Sequence, residues 1–440
     1  MAKGKMLIIG GSGAFGSFYA NLFKEDGFEV SIFTRDIDSL KGFCEKNSYS
    51  LTNNLEEVKN FDYVIISVPN EIAPKVVKEI APKLKKGALI FDFCSVKDSI
   101  VKELKKLENK DIEIASIHPM HGPRVQSIAG YSVVCIPIKG GKKLEVISES
   151  FRSRKANFFN STAKEHDTIL SIVQGLTHYS QFVSAEVLNA LEADLKKTMR
   201  FSTPNYSLYL SLISRVVLQN PQLYSEIQVS NPSNEKMREL FTKSAVKLEK
   251  ICKAKNSSEK LEKRLIEDSK IFKDPDVMLL DSDRAVNALK LEVNILMNNI
   301  GHKFLVENMI THSFHYGTIK SVDDKEIVID EGHEEKRLSL SRIRITTKKE
   351  MNDWKKKNLQ KIALDFSFLT PSAASAEIVA KCISRMLRSD VEIIDQFYGQ
   401  KLPTGTKSIT IRVAFYDGDT KKEDEEEVKK VLLGMGYSLR

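Results

Sequence analysis

The sequence predicts a chain of four parts, beginning with an α/β domain of the doubly wound kind over residues 1–142. An all-α helical domain is expected over 143–310, a small β module with a linker over 311–358, and an α+β domain over 359–440. Three observations carry this reading. In the first part, short apolar β-branched runs alternate with helical periods, as in a parallel sheet covered on both faces. From about Leu144 to about Gly301 the pattern becomes almost wholly helical. From Phe314 to Thr347 it alternates with period 2.

Taken in order, Lys5 to Ile9 is an apolar run, followed by a glycine cluster and a helical pattern from Ala14 to Phe23 that Gly27 breaks. Strands are expected at Phe28 to Phe33, Phe61 to Val68, Ala88 to Cys94, Ile112 to Ile117 and Tyr131 to Ile138. Ile169 to Leu191 and Ser207 to Val217 are the most apolar helical stretches, and such long apolar helices suit a dimer core. Lys247 to Lys270 reads as a solvated helix. The β module carries turn signals at Asp323-Asp324 and Glu331-Gly332, and Lys348 to Lys357 is a charged linker or short helix. From Lys361 onward the order is strand, helix (Ala374 to Leu387), strand (Val391 to Tyr398), strand (Ser408 to Phe415) and helix (Glu423 to Gly434). The acidic run Glu423 to Glu427 fits the first turn of that last helix.

Composition narrows the function classes. A length of 440 residues exceeds one core, and 42% hydrophobic residues is ordinary for a globular protein. The net charge of +8 suits anionic ligands without implying nucleic acid. Cys44, Cys94, Cys135, Cys252 and Cys382 are odd in number and form no C-x-x-C pair, which argues against a disulfide framework or a metal site. With no signal-peptide segment and no apolar run of ~18 residues, a soluble cytoplasmic protein without membrane contact is expected.

The glycine cluster identifies the first domain as Rossmann-type. Gly11, Gly13 and Gly16 fill G-x-G-x-x-G around Ser12, Ala14 and Phe15. The first glycine permits a tight turn, the second lets backbone approach a pyrophosphate, and the third lets helix pack on strand. The helix amino terminus then offers free N–H groups to phosphate. Val68 and Pro69, at the end of a later strand, fall on the same side of the sheet and join the expected cofactor site. The second strand ends in Thr34-Arg35, where NAD sites usually place a carboxylate. Both can donate to a 2′-phosphate, so NADP is preferred over NAD, unless nearby Asp36 takes the ribose.

Three segments offer chemistry. Ser95 and Lys97 follow one buried strand, and His118-Pro119-Met120-His121-Gly122-Pro123-Arg124 follows the next, both at strand carboxyl ends where such sheets bind ligands. His118 is placed as a general base, and Ser95 to orient it or bond substrate. Lys97 and Arg124 are candidates to neutralise an anion. The third segment is Glu165-His166-Asp167, of which His166 and Asp167 are expected to stabilise the helix start, with His178 and Gln181 further along. Arg215 lies on an apolar helix, where an unpaired cation favours an anionic ligand.

These residues resemble the prephenate dehydrogenases, particularly archaeal multidomain members, over roughly residues 5–255. The carrying motifs are the glycine loop, S-x-K at Ser95 and Lys97, H-P-M-x-G-P from His118, E-H-D from Glu165, and Leu212-Ile213-Ser214-Arg215 ahead of Asn220-Pro221. The resemblance implies oxidative decarboxylation of prephenate to 4-hydroxyphenylpyruvate in tyrosine biosynthesis. It assigns His118 to the substrate hydroxyl, Ser95 to that histidine and the hydroxyl, and Arg215 to a substrate carboxylate; His178 is a further substrate-binding candidate, or else a core histidine. Gln181 stands where the family often has His. A homodimer is implied. Arogenate oxidation and a deazaflavin-dependent NADP reductase are the rival enzyme readings.

Residues from about Lys361 to Arg440 resemble a second family, the ferredoxin-fold anticodon-binding domain of phenylalanyl-tRNA synthetases. The resemblance rests on Tyr398 to Ser408 and Ile409 to Phe415, and implies a ferredoxin-like fold. Phe397, Tyr398, Lys401 and Lys407 could stack on bases and bind phosphate, which would suit a cofactor-sensing RNA-binding protein. Regulation by a bound ligand, or assembly, is the preferred reading of this domain over RNA.

Overall fold

The computed structural model describes residues 3–323, 325–387, 389–416 and 421–440. They form two compact units that divide between Pro275 and Asp276.

The first unit is built on an eight-stranded sheet of β1 (Lys5–Ile9), β2 (Glu29–Phe33), β3 (Ser50–Thr52), β4 (Tyr63–Ile66), β5 (Leu89–Asp92), β6 (Glu113–Pro119), β7 (Ser132–Lys139) and β8 (Asn157–Asn160). Their order is β3-β2-β1-β4-β5-β6-β7-β8, so the winding reverses at β1. The helices between them are α1 (Ala14–Glu25), α2 (Ile37–Asn47), α3 (Ala73–Ile80), α4 (Asp98–Lys105) and α5 (Lys142–Arg152). Alternate residues of β1 enter opposite cores, which is why Met6 to Ile9 are all apolar. Met6 and Ile8 pack with Phe23, Phe91 and Phe151, while Leu7 and Ile9 pack with Val77, Ile90 and Leu104.

The Rossmann-type expectation is met, with one departure from a parallel sheet. β7 runs antiparallel to β6. No helix occupies residues 120–131, and without a helical crossover the chain returns beside the strand it left. α5 then crosses to β8, which pairs parallel to β7. The sheet therefore continues to Asn160, past the expected boundary at residue 142. Strands β3 and β8, of three and four residues, are too short to leave a periodic signal.

A helical region follows with α6 (Ala163–Leu170), α7 (Thr177–Ala190), α8 (Leu195–Arg200), α9 (Pro204–Val217), α10 (Pro221–Ser230), α11 (Asn234–Cys252) and α12 (Ser257–Ser269). Side chains of Thr162, Asp194, Thr203 and Asn220 accept backbone N–H groups at the starts of α6, α8, α9 and α10, and Pro204 and Pro221 sit where a first-turn N–H is dispensable. A wider π-helical turn, Ser171–Leu176, joins α6 to α7. No described helix is long and apolar enough to cross a membrane.

In the second unit, the carboxyl end of α13 (Pro275–Asn298) packs Leu296 onto an antiparallel sheet of β9 (Lys303–Asn308), β10 (Phe314–Val322), β11 (Glu326–Asp330), β12 (Glu335–Ser339) and β13 (Ile343–Ile345). The β module thus begins at Lys303, ahead of the expected residue 311. Gly332 makes its turn with a φ of +90°, whereas Asp324 of the other expected turn lies outside the described residues. The charged linker is a helix, α14 (Lys348–Asn358), closed by a capping box between Thr347 and Glu350. The last part contains β14 (Ile362–Pro371), α15 (Ala376–Leu387), β15 (Val391–Phe397), β16 (Thr406–Phe415), α16 (Lys421–Gly434) and β17 (Ser438–Leu439). Its antiparallel order β15-β16-β14-β17 is the ferredoxin-like arrangement, completed by a two-residue strand that the sequence reading lacked. Lys407 is buried and donates to Gln396 Oε1 at 3.2 Å and to the Tyr398 hydroxyl at 3.0 Å, so its charge is engaged within the sheet rather than offered to phosphate.

Candidate active site

The glycine loop lies between β1 and α1, at the point where the strand order reverses. Gly10, not Gly11, makes the tight turn, with a φ of +89°. A Cβ on Gly10 would stand 2.2 Å from the Ser67 carbonyl oxygen and 3.0 Å from Val68 Cγ1, which places Val68 beside the loop. Gly11 is pressed against Ile32, and a Cβ on Gly16 would meet the Gly10 carbonyl oxygen at 2.3 Å. At Gly13 the nearest atom to such a Cβ is 3.4 Å away, so this glycine is needed for something other than packing against the protein. The first turn of α1 has neither a side-chain cap nor an acidic residue, which leaves its N–H groups free for an anion. Ser12 and Ala14 are exposed, and Phe15 is half-buried against Tyr19. These features fit a dinucleotide pyrophosphate.

At the end of β2, Thr34 is half-buried and Arg35 exposed. The Asp36 carboxylate caps α2 by accepting from Ser39 N at 3.2 Å. Thr34 Oγ1 is bonded to the Asp36 backbone.

His118 is 4% exposed at the carboxyl end of β6. Its Nδ1 lies 2.9 Å from His166 Nε2, and His166 Nδ1 lies 2.8 Å from Asp167 Oδ1. Asp167 also accepts from Lys97 N at 3.0 Å and Asp98 N at 2.8 Å, at the start of α4. Burial holds the His118 imidazolium well below its usual range, with the charge of Lys97 acting the same way. Burial also lowers His166, against its bond to Asp167. Within the E-H-D segment only Glu165 serves the start of α6, its N–H donating to the Thr162 cap and its carboxylate accepting from Ser161, while the side chains of His166 and Asp167 do not. Those two side chains reach across to the strand-end histidine instead.

Among the described residues no hydrogen bond joins Ser95 to His118. Ser95 is held through its backbone N–H, 3.0 Å from Asn70 Oδ1. Asn70 N in turn donates to Glu226 Oε2 of α10 at 2.9 Å. Lys97 is no surface cation, being wholly buried with Nζ 3.0 Å from both Asp92 Oδ1 and the Ile117 carbonyl oxygen. His121 is bonded to the Tyr19 hydroxyl at 2.8 Å.

In the helical region, His178 packs edge-on against Tyr224, with ring centroids 4.8 Å apart. Burial pushes its pKa down to about 4, so it is neutral at pH 7. Its Nδ1 and the Oε1 of Gln181, one turn along α7, are buried without a hydrogen-bond partner. Arg215 is exposed on α9, close enough for its charge to act on the Tyr224 phenol. Arg215 thus presents an open guanidinium within range of Tyr224, the ring that packs on His178. Since Tyr224 and Glu226 lie on one helix, α10 ties these groups to Asn70 and Ser95.

Asn70, Tyr224 and Glu226 were missed by sequence reasoning, because no local pattern distinguishes them from surface polar residues. The E-H-D segment was seen, but its partner is 48 residues away from His166 in sequence.

Residues 19–159 match a family model described as prephenate dehydrogenase, nucleotide-binding domain, and residues 162–267 match the prephenate dehydrogenase dimerization domain. A protein of Methanocaldococcus jannaschii named "Probable arogenate/prephenate dehydrogenase" is 31% identical over 434 residues, covering 98% of this chain and 97% of that one. The NADP(+) prephenate dehydrogenase of Saccharomyces cerevisiae is 29% identical over 179 residues, 40% of this chain and 39% of that one. The crystal structure of prephenate dehydrogenase from Aquifex aeolicus, in complex with hydroxyphenyl propionate and NAD+, shares the fold with a TM-score of 0.50 and 21% identity, over 62% of this chain and 99% of that chain. The chain belongs to the prephenate dehydrogenase family, whose members are NAD(P)-dependent oxidoreductases.

Proposed function

We propose that this enzyme uses His118 as the general base in NADP-dependent oxidative decarboxylation of prephenate to 4-hydroxyphenylpyruvate. The carrying observation is a buried, neutral imidazole at a strand carboxyl end, with one nitrogen engaged by His166 and the other left for substrate. The bound nicotinamide supplies the hydride acceptor. His118 takes the proton of the ring hydroxyl as the adjacent C–H bond loses its hydride. Loss of carbon dioxide sends the C–C electron pair into the ring and onto that oxygen, which recovers the proton as the ring becomes aromatic. Ser95 bonds the substrate hydroxyl, and Arg215 and His178 bind the substrate, Arg215 by charge and His178 through its unpartnered nitrogen. Gly11 to Gly16, Val68 and Pro69 hold the cofactor. Thr34 and Arg35 favour NADP, and Asp36 commits one carboxylate oxygen to the α2 cap.

The dimer belongs to the same proposal. Ile172, Leu191, Phe201, Leu218 and Val229 are exposed apolar side chains within residues 162–267, more than a monomer ordinarily leaves open to water.

The test is absorbance of reduced nicotinamide with prephenate or arogenate, and with NADP or NAD. Fastest reduction with prephenate and NADP is expected, and His118→Asn should lose ~10²–10⁴-fold in turnover. Wild-type turnover in that variant removes His118 from the mechanism, and faster arogenate oxidation reassigns the substrate.

A further inference from the structure

We propose that His166 and Asp167 are positioning residues that fix His118 in the tautomer whose Nε2 carries the lone pair. The inference rests on His118 as the base, and follows from what each atom in the chain can donate. Asp167 accepts two backbone N–H groups at the start of α4, from Lys97 and Asp98, so it is held as a carboxylate and is an acceptor only. His166 Nδ1, 2.8 Å from Asp167 Oδ1, must therefore donate. A neutral imidazole protonated at Nδ1 has its lone pair on Nε2, and burial keeps His166 neutral. Across the 2.9 Å contact, His118 Nδ1 must donate in its turn. Nε2 of His118 is left as the acceptor, the form a general base requires.

The chain also provides charge. The groups facing His118 besides His166 are Lys97, paired with Asp92, and His121, bonded to Tyr19. Neither the Lys97 cation nor the His121 ring favours a proton on His118. The carboxylate of Asp167, one ring away, opposes that bias when the imidazolium forms. Asparagine at this position would turn its oxygen to the backbone donors and its NH2 to His166. That would force His166 to carry its proton on Nε2, and His118 to do the same, placing a hydrogen where the lone pair is needed.

The experiment combines kinetics with the tautomer itself. In ¹⁵N NMR of the full-length wild-type protein, His118 should show a protonated Nδ1 and an unprotonated Nε2, and the reverse tautomer overturns the proposal. Asp167→Asn should lower kcat by ~10²–10⁴-fold and move the acid limb of its pH profile to lower pH, with the KM for NADP unchanged. His166→Leu should lose at least about tenfold in kcat, and His166→Gln, whose carbonyl oxygen can accept from His118, should recover most of it. Equal losses in the Leu and Gln variants, with no movement of the limb, indicate a structural role and overturn the proposal. His118→Asn separates the two claims: wild-type turnover there sinks the base assignment, whereas a large loss there beside unchanged kcat in both His166 variants sinks only the positioning role.

Discussion

Lys97 Nζ lies 3.0 Å from Asp92 Oδ1, and both side chains are wholly buried. The sequence reading offered Lys97 to a bound anion. The structure uses it instead to join the end of β5 to the Ile117 carbonyl of β6, one residue before His118. Taking two charges out of water is costly, and mutual attraction offsets that only while both are present.

Lys97→Met should therefore destabilise the protein by about 3–5 kcal/mol, because it leaves Asp92 buried and uncompensated. Adding Asp92→Asn should return part of the loss. Denaturant unfolding of the single and double variants measures both, and a single variant as stable as wild type would contradict the argument.

Gly16 offers a second test. A methyl group there would stand 2.3 Å from the Gly10 carbonyl oxygen and 2.8 Å from Gly11 Cα, both backbone atoms that cannot step aside. Gly16→Ala should lower stability by about 1–3 kcal/mol and, by displacing the loop, weaken NADP binding. Gly27→Ala, with nothing within 4 Å of its added Cβ but a φ of +91°, should lose stability through backbone strain alone and leave the cofactor Kd unchanged. Thermal melts with and without NADP distinguish the two.

Arg35 is exposed, so its truncation tests cofactor choice without disturbing the core. Arg35→Ala should raise the KM for NADP by roughly 10–100-fold, the worth of one or two charge-assisted bonds, and leave the KM for NAD within about twofold. Equal KM values for NADP in variant and wild type would remove Arg35 from the site.

The sheet was legible in the sequence because its central strands are buried on both faces and read as apolar runs, as in β1 and β4. The edge elements β3, β8 and β17 were not, since two to four largely exposed residues carry neither a period nor a buried apolar run. The turn back from β6 to β7 was also hidden, because a strand's own residues do not record the direction of its neighbour. Local motifs located the glycine loop, Ser95, His118 and E-H-D. What they could not supply was pairing at long range. His166 meets His118 across 48 residues, Asn70 meets Glu226 across 156, and these partners decide what the motif residues do.

His178 yields a prediction in which the sign can be worked out. Its folded pKa, about 4, lies below the ordinary 6.5 because burial penalises the cation. Between these values the unfolded chain binds a proton that the folded chain refuses, so stability contributed by the neutral ring is present above about pH 6.5 and is lost as pH falls toward 4. Burial lowers His118 and His166 in the same direction, so the wild-type protein should lose Tm over this window from all three. His178→Phe keeps an aromatic edge against Tyr224 and removes one titrating group, so its Tm should fall less steeply over the same window. If His178 also binds substrate, this variant will raise the KM for prephenate and leave the Kd for NADP unchanged. Parallel Tm curves would show that His178 titrates no differently in the folded and unfolded chains, and an unaltered prephenate KM would place the substrate away from α7.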